Sequence, residues 1–429
     1  MEKNTKKKVI VIGAGSRGKG YSDIMKKHFS EDFSVVAVAE PVDDRRDYMM
    51  RTHAIPEELC FNTWEPLLEM DRMADVAIIS TMDRDHYAPA MAAIKKGYNL
   101  LLEKPVSPTP EECREIQKAA EEAGVFVLVC HVLRFTEFFI SLKDIIDSGE
   151  IGEVVNIQHI ECVGNVHQSH SFVRGNWGNS ERSSDMLLQK SCHDMDILAW
   201  LVDKKCLRVQ SFGGLTYFTR ENAPEGSPEY CIQGCPVGES CPYNAVKLYL
   251  ERKNSDSGGK WFRTAATKLT EPTDGDVEQA LRNTQYGKCV YKCDNDVVDH
   301  QIVNLEFEGG VCVSFTMSAF NKGGRYIRIM GTKGEIDAKM AGSEIRIYSF
   351  ATGQWQDYDR NKHSGSEHIT GGHGGGDNGI ILALRDLLDG KKSKSVCGIA
   401  ESCDNHMIVF AAEESRRSGT VVSLDKYMV

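Results

Sequence analysis

The chain has 429 residues, of which 41% are hydrophobic and 26% charged, and its formal net charge is −11. That length exceeds one ordinary hydrophobic core and suits two domains of a globular protein. The net acidity, with Lys and Arg scattered rather than striped, argues against a nucleic-acid partner, and no apolar run approaches the ~20 residues of a membrane span.

The opening MEKNTKKK precedes only the short apolar run Val9–Ile12 before a glycine, with no small-residue cleavage site after it. It therefore reads as the lead-in to a first strand, and the chain as cytoplasmic. In that compartment the 14 cysteines are expected to be mostly thiols. After Ile12 come Gly13, Gly15 and Gly18 in G-x-G-x-x-G spacing, and SRGKGYSDIMKKH opens a helix directly behind them. Strand, glycines and helix in that order predict a dinucleotide site. Gly13 permits the tight turn, Gly15 lets the backbone approach a pyrophosphate, and Gly18 lets helix pack on strand. Ser16 and Arg17 stand at the helix N-terminus, whose free N–H groups suit phosphate. The next strand, SVVAVAE, ends in Glu40, 22 residues after Gly18. An acid there meets the adenosine ribose hydroxyls and repels a 2′-phosphate, so NAD is expected rather than NADP. Arg45 and Arg46 nearby offer a 2′-phosphate an alternative.

The alternation continues with strands at 75–80, 98–103 and 125–130 and helices at 86–97 and 109–124, the last with Thr109 as N-cap before Pro110. Repeated β-α units predict a doubly wound parallel sheet, assigned to residues 1–132, with 133–429 forming a second domain. Ligands bind beyond the C-terminal ends of such strands, which places Thr81, His86, Glu103 and Lys104 in the cofactor set. Pro105 keeps Lys104 out of the helical region, so the lysine is expected beside the nicotinamide.

In the second domain, HQSHSFVRGNWGNSERSS gathers His167, His170, Arg174, Asn176 and Trp177, hydrogen-bonding groups and a flat ring that suit a sugar-like substrate. LLQKSCHDMDIL has helical apolar spacing and puts Gln189, His193, Asp196 and Trp200 on one face, with Lys190 beside them. That face is a solvated surface, half of a metal site, or the wall of an active site. Cys231, Cys235 and Cys241 fall in YCIQGCPVGESCPYNA, and Cys289 and Cys293 in GKCVYKCDND. The spacings C-x3-C-x5-C and C-x3-C in turn-rich sequence suit a structural zinc with any four as ligands, or else buried thiols. The polar stretch 251–276 reads as a surface insertion. Alternation around Gly309-Gly310 predicts a hairpin. Residues 371–390 read as a glycine loop carrying His373, which closes over a substrate or is merely exposed, followed by Asp377 as an N-cap.

VIGAGSRG, EKPVS and the His-Asp-x-Asp of SCHDMDIL, in this order, resemble the signatures of the Gfo/Idh/MocA (glucose–fructose oxidoreductase/inositol dehydrogenase) family. LRFTEFFISLKDIIDSGEIGEV resembles that family's connection between domains. The resemblance implies an N-terminal Rossmann sheet plus a C-terminal α/β domain with an open, mostly antiparallel sheet serving a homodimer or homotetramer. It implies pyridine-nucleotide redox chemistry on a sugar, cyclitol or glycoside, with the motif helix lining the substrate pocket. Many relatives carry Asp where this chain has Gln189, which neither ionises nor acts as a base. His193 is therefore expected as base and Lys104 as the group that orients the hydroxyl and stabilises its alkoxide, with the swapped roles as alternative. Two further readings remain open from the sequence. One is net glycoside cleavage or sugar conversion through a tightly bound, internally recycled NAD. The other is a non-catalytic NAD- or sugar-sensing regulator.

Overall fold

A computed structural model of the protein describes residues 6–252, 259–358 and 372–427. The first domain alternates β1 (Lys7–Ile12), α1 (Ser16–His28), β2 (Phe33–Ala39), α2 (Asp43–His53), β3 (Cys60–Phe61), α3 (Trp64–Glu69), β4 (Val76–Ile79), α4 (Tyr87–Lys95), β5 (Asn99–Leu102), α5 (Pro110–Ala123) and β6 (Val127–Val129). The strands pair in parallel in the order β3-β2-β1-β4-β5-β6. Helices cover both faces, so the central strands are unbroken apolar runs, with Val9–Val11 and Val76–Ile79 at 0% exposure. The strand order reverses between β1 and β4, which opens a crevice at their C-terminal ends. Thr109 caps α5 by accepting from Glu112 N, and Gly124 ends it in the left-handed region at φ 66°.

From there α6 (Glu137–Asp147) leads to β7 (Val154–Cys162), the short α7 (Asn165–His167), a π-helical stretch Gln168–Arg174, α8 (Met186–Gln189), α9 (Cys192–Val202), β8 (Cys206–Gly214), α10 (Gly259–Thr267) and α11 (Asp274–Asn283). The chain then runs through β9 (His300–Phe307), β10 (Cys312–Ser318), β11 (Gly324–Gly331), β12 (Gly334–Lys339), β13 (Glu344–Ser349), β14 (Gln354–Asp357), α12 (Gly376–Leu388), α13 (Ile399–Ser418) and β15 (Val422–Ser423). Nine strands form the second sheet in the order β14-β13-β12-β11-β7-β10-β9-β8-β15, antiparallel except where β7 meets β10. The expected hairpin is β9–β10, turned by Gly309 and Gly310 at φ 74° and 77°, where a side chain would be strained. One sheet face is buried: Val303, Leu305, Phe315 and Ile329 are at most 3% exposed. Long helix α13 packs on β8, α9 and α5, and α12 packs on α1, so the C-terminal part of the chain returns to the first domain. Among the described residues no helix is long and apolar enough to cross a membrane.

Candidate active site

The glycine loop has the form its spacing predicts. A Cβ on Gly13 would lie 2.6 Å from Ser80 O, and one on Gly18 would lie 2.0 Å from Gly13 O. A Cβ on Gly15 would meet only Arg45 Nη1, at 3.6 Å. Internal packing thus excludes side chains at Gly13 and Gly18, whereas Gly15 faces space that a pyrophosphate would fill. Ser16 begins α1, whose first turn carries no acid to compete with an anion. Glu40 is buried at the end of β2 and accepts from Ala14 N at 2.6 Å and Val42 N at 3.0 Å. Each carboxylate oxygen keeps a lone pair for a ribose hydroxyl. Arg45 donates through Nε to Lys268 O at 3.1 Å, and its Nη1 lies beside Gly15. Arg46 donates to Glu40 O instead. These groups fit a dinucleotide.

A cavity of about 580 Å³ continues from this loop into the space between the domains. Ser16, Arg17, Thr81, His86, Glu103 and Lys104 line it from the first domain, and Gln189, Lys190, His193 and Arg325 from the second. Thr81 donates through Oγ1 to Asp85 O, and the His86 ring lies between Pro105 O (2.7 Å) and Thr81 O (3.3 Å), tying the ends of β4 and β5 together. Glu103 accepts from Arg17 Nε at 2.8 Å and Tyr21 OH at 2.6 Å. Burial would raise its carboxyl, but Arg17 and Lys104 hold it below the usual range. Arg17 also pairs with Asp377 at 2.8 Å. Asp377 is not the expected N-cap: Gly375 caps α12, and Asp377 sits in the first turn. Lys104 Nζ crosses the cavity to donate to the Gln189 carbonyl at 2.8 Å.

The predicted single motif helix is two helices. Lys190 and Ser191 separate α8 from α9, and Gln189 and His193 still face the cavity. Asp196 does not. It accepts from Arg134 Nε and Nη2, both at 2.8 Å, and from Asn405 at 2.9 Å. His131, Asp196 and Cys397 place ligand atoms within 4.8 Å of one another, but the Arg134 guanidinium already supplies the cation there. A shared His193–Asp196 metal is therefore ruled out. Burial would raise the Asp196 carboxyl, and the Arg134 guanidinium, which also donates to it, reverses that shift. A carboxyl lowered on folding contributes stability above its unfolded pKa, about 4, and loses it as the pH falls through the folded value. Arg134→Met strands that buried charge and is expected to lose about 3 kcal/mol at neutral pH. Denaturant unfolding should show the deficit shrink as the pH is lowered through the carboxylate range. Behind His193, burial pushes His131 down to about 4, so the ring beside the site, 6.1 Å away edge-on, is neutral. Asp194 pairs with Arg325 and His159, both at 2.8 Å, and Lys190 with Glu161 at 3.1 Å.

Of the expected substrate residues, Trp177 lines the cavity, its indole donating to Asp83 at 3.3 Å. His170 lies outside it, buried against Phe262 at 4.1 Å and bonded to Tyr249 OH at 2.7 Å, and burial pushes it down to about 3. Arg174 is also buried away from the cavity, and Asn176 is exposed beside Met82. The side chain of His373 lies outside the described residues. His167 of the same segment lines the cavity, and Phe172, Trp261, Arg325, Asp83 and Asp377 join the lining without having been expected there. Of the stretch 251–276, expected as a surface insertion, residues 253–258 lie outside the described ones, while α10 brings Trp261 to the cavity and Thr270 N donates to Asp44 of α2 at 2.8 Å. Cys231, Cys235, Cys241 and Cys289 line a separate small cavity, and Cys293 sits beside them, donating to Cys289 O at 3.4 Å.

Residues 7–131 match the NAD-binding Rossmann fold of the Gfo/Idh/MocA oxidoreductases, and residues 143–424 match their C-terminal alpha/beta domain. The chain belongs to this family. Within it, the chain is 23% identical over 407 residues to Bacillus subtilis (strain 168) YteT, named as an oxidoreductase, covering 90% of this chain and 89% of YteT. It is 25% identical over 217 residues to the inositol 2-dehydrogenase of Salmonella typhimurium, covering 50% of this chain and 59% of that enzyme. The fold is shared with the WlbA dehydrogenase of Bordetella pertussis, solved with NADH and UDP-GlcNAcA, at a TM-score of 0.66, 15% identity and 99% of both chains.

Proposed function

We propose that the protein is an NAD-dependent oxidoreductase that moves a hydride between nicotinamide and a secondary hydroxyl of a sugar, cyclitol or glycoside. The convergence of Lys104, at the end of β5, and His193, in the first turn of α9, on the cavity beyond the glycine loop carries this reading. The family's inositol dehydrogenases support the substrate class. Nicotinamide, when bound, takes up the hydride at its C4. The chain's own groups handle the proton and the geometry. His193 accepts the hydroxyl proton, and Lys104, steered by the Gln189 carbonyl, donates to the same oxygen as alkoxide charge develops. The Gln189 amide nitrogen donates to Ser184 O. Its Oε1 is buried without a hydrogen-bond partner among the described residues. Phe172, Trp177 and Trp261 offer flat faces to ring C–H groups. Glu40 favours NAD over NADP.

The test is a nicotinamide absorbance screen against sugars, inositols and glycosides, with the protein's spectrum recorded before any cofactor is added. A substrate-dependent rise with NAD supports the reading, and absence of both turnover and bound cofactor across the panel overturns it. Product formed with no net rise by a protein that already holds cofactor identifies the internally recycled form.

We also propose that a homodimer or homotetramer forms through the outer face of the second sheet. Phe212, Ile302 and Ile160 are 55%, 43% and 39% exposed. Phe212 pairs with Ile302, and both Ile302 and Ile160 pair with Thr316, giving an apolar row across four strands. Phe212→Glu with Ile302→Glu is expected to lower the molar mass seen by light scattering to that of one chain, leaving the thermal unfolding temperature within about 5 °C.

A further inference from the structure

Four cysteines outside the active site converge on one place. The bridge between Tyr230 and Lys288, reinforced by Cys289 N donating to Glu229 O at 2.9 Å, brings the segment of Cys231, Cys235 and Cys241 against that of Cys289. The four line a cavity of about 20 Å³ with Val237, Val290 and Tyr291. All four are free thiols.

Arg174 supplies an independent observation. It lines the same cavity at 1% exposure. Nε donates to Lys288 O at 2.8 Å and Nη2 to Tyr243 O at 2.6 Å, with Cys231 Sγ at 3.7 Å. Its Nη1 has no partner, and no carboxylate of the described residues pairs with it. An arginine cannot shed its charge, so a buried one needs an anion nearby. Neutral thiols do not provide it.

We propose that Cys231, Cys235, Cys241 and Cys289 are the ligands of a thiolate-bound metal centre, either one zinc ion or an iron–sulfur cluster, with Arg174 as its counter-cation. Four thiolates around either occupant carry net negative charge and present sulfur acceptors to Arg174 Nη1. Among the described residues no three of these sulfurs lie within 4.8 Å of one another. A zinc tetrahedron has an edge of ~3.8 Å, so zinc draws the two segments inward, whereas a cluster needs less movement. The centre also bears on the active site, because Arg174 ends the π-helical stretch whose Phe172 lines the catalytic cavity. It fixes that wall without touching the cofactor loop.

The test measures zinc, iron and acid-labile sulfide in the full-length protein, purified without chelator under nitrogen, together with its visible spectrum. About one zinc per chain, or about four irons with matching sulfide and visible absorption, is expected. Cys241→Ser with Cys289→Ser should lower that content about tenfold or more, while Cys312→Ser, at an exposed cysteine, should retain it. Wild-type protein that stays below about 0.1 metal per chain after both zinc supplementation and iron–sulfide reconstitution overturns the proposal. So does a double variant that keeps its metal. Should the double variant not fold, mercurial titration of wild-type protein decides: metal release in step with these four thiols supports the centre, and titration without release rejects it.

Discussion

Lys104→Met is expected to lower kcat by about 10³- to 10⁴-fold while the NAD dissociation constant moves less than about threefold. Methionine keeps the unbranched stem and most of its volume, so the wall of the cavity stays filled. What disappears is a cation held at one point by the Gln189 carbonyl, 2.8 Å away, on the far side of the cavity. That bond places the ammonium between the domains, where the reacting hydroxyl would lie, and away from Glu40 and the glycine loop that hold the dinucleotide. Its contribution grows as negative charge develops on the substrate oxygen, so the loss falls on turnover. Steady-state kinetics set beside calorimetric titration with NAD checks this. If kcat holds and NAD affinity falls instead, Lys104 is a cofactor clamp and the proposed chemistry is wrong.

The first domain was legible because its signals are local. Apolar runs, glycine spacing and a capped helix report on neighbours in sequence, and β1, β2, β4, β5 and β6 all came from them, as did the positions of Glu40 and Lys104 at strand ends. The site was legible only in part, because a helical wheel gives the direction of a side chain and not its partner. Gln189 and His193 do face the cavity. Asp196 was aimed equally well on paper, yet Arg134, 62 residues earlier, claims it for the core. His170 and Arg174 stood in a segment of suitable chemistry, but what buries His170 is Phe262, from a stretch whose charged ERKNSDSGGK run reads as surface. The apolar Trp261-Phe262 pair that follows was the available signal. Arg325 and Asp377 carried none: each is an ordinary charged residue near the start of an element, and only the packing of α12 and β11 brings them to the cavity.

His193→Ala is expected to lower kcat by about 10²- to 10⁴-fold, and its pH profile separates it from Lys104→Met. A general base works only when deprotonated, so in the wild type the limb of kcat/KM that requires a neutral imidazole rises with pH. Removing the ring removes that limb and leaves a shallow dependence on hydroxide. Alanine also leaves a space the size of the lost ring, bordered by the neutral His131, and added imidazole is expected to enter it and restore part of the rate. Imidazole should do nothing for Lys104→Met, where the missing group is a cation on a flexible stem. The opposite pattern would exchange the roles. If the limb survives in His193→Ala and vanishes in Lys104→Met, the lysine takes the proton and the histidine only orients the hydroxyl. That exchange is a real alternative because Gln189 fixes the Lys104 ammonium through its backbone carbonyl but brings no negative charge to favour a protonated His193.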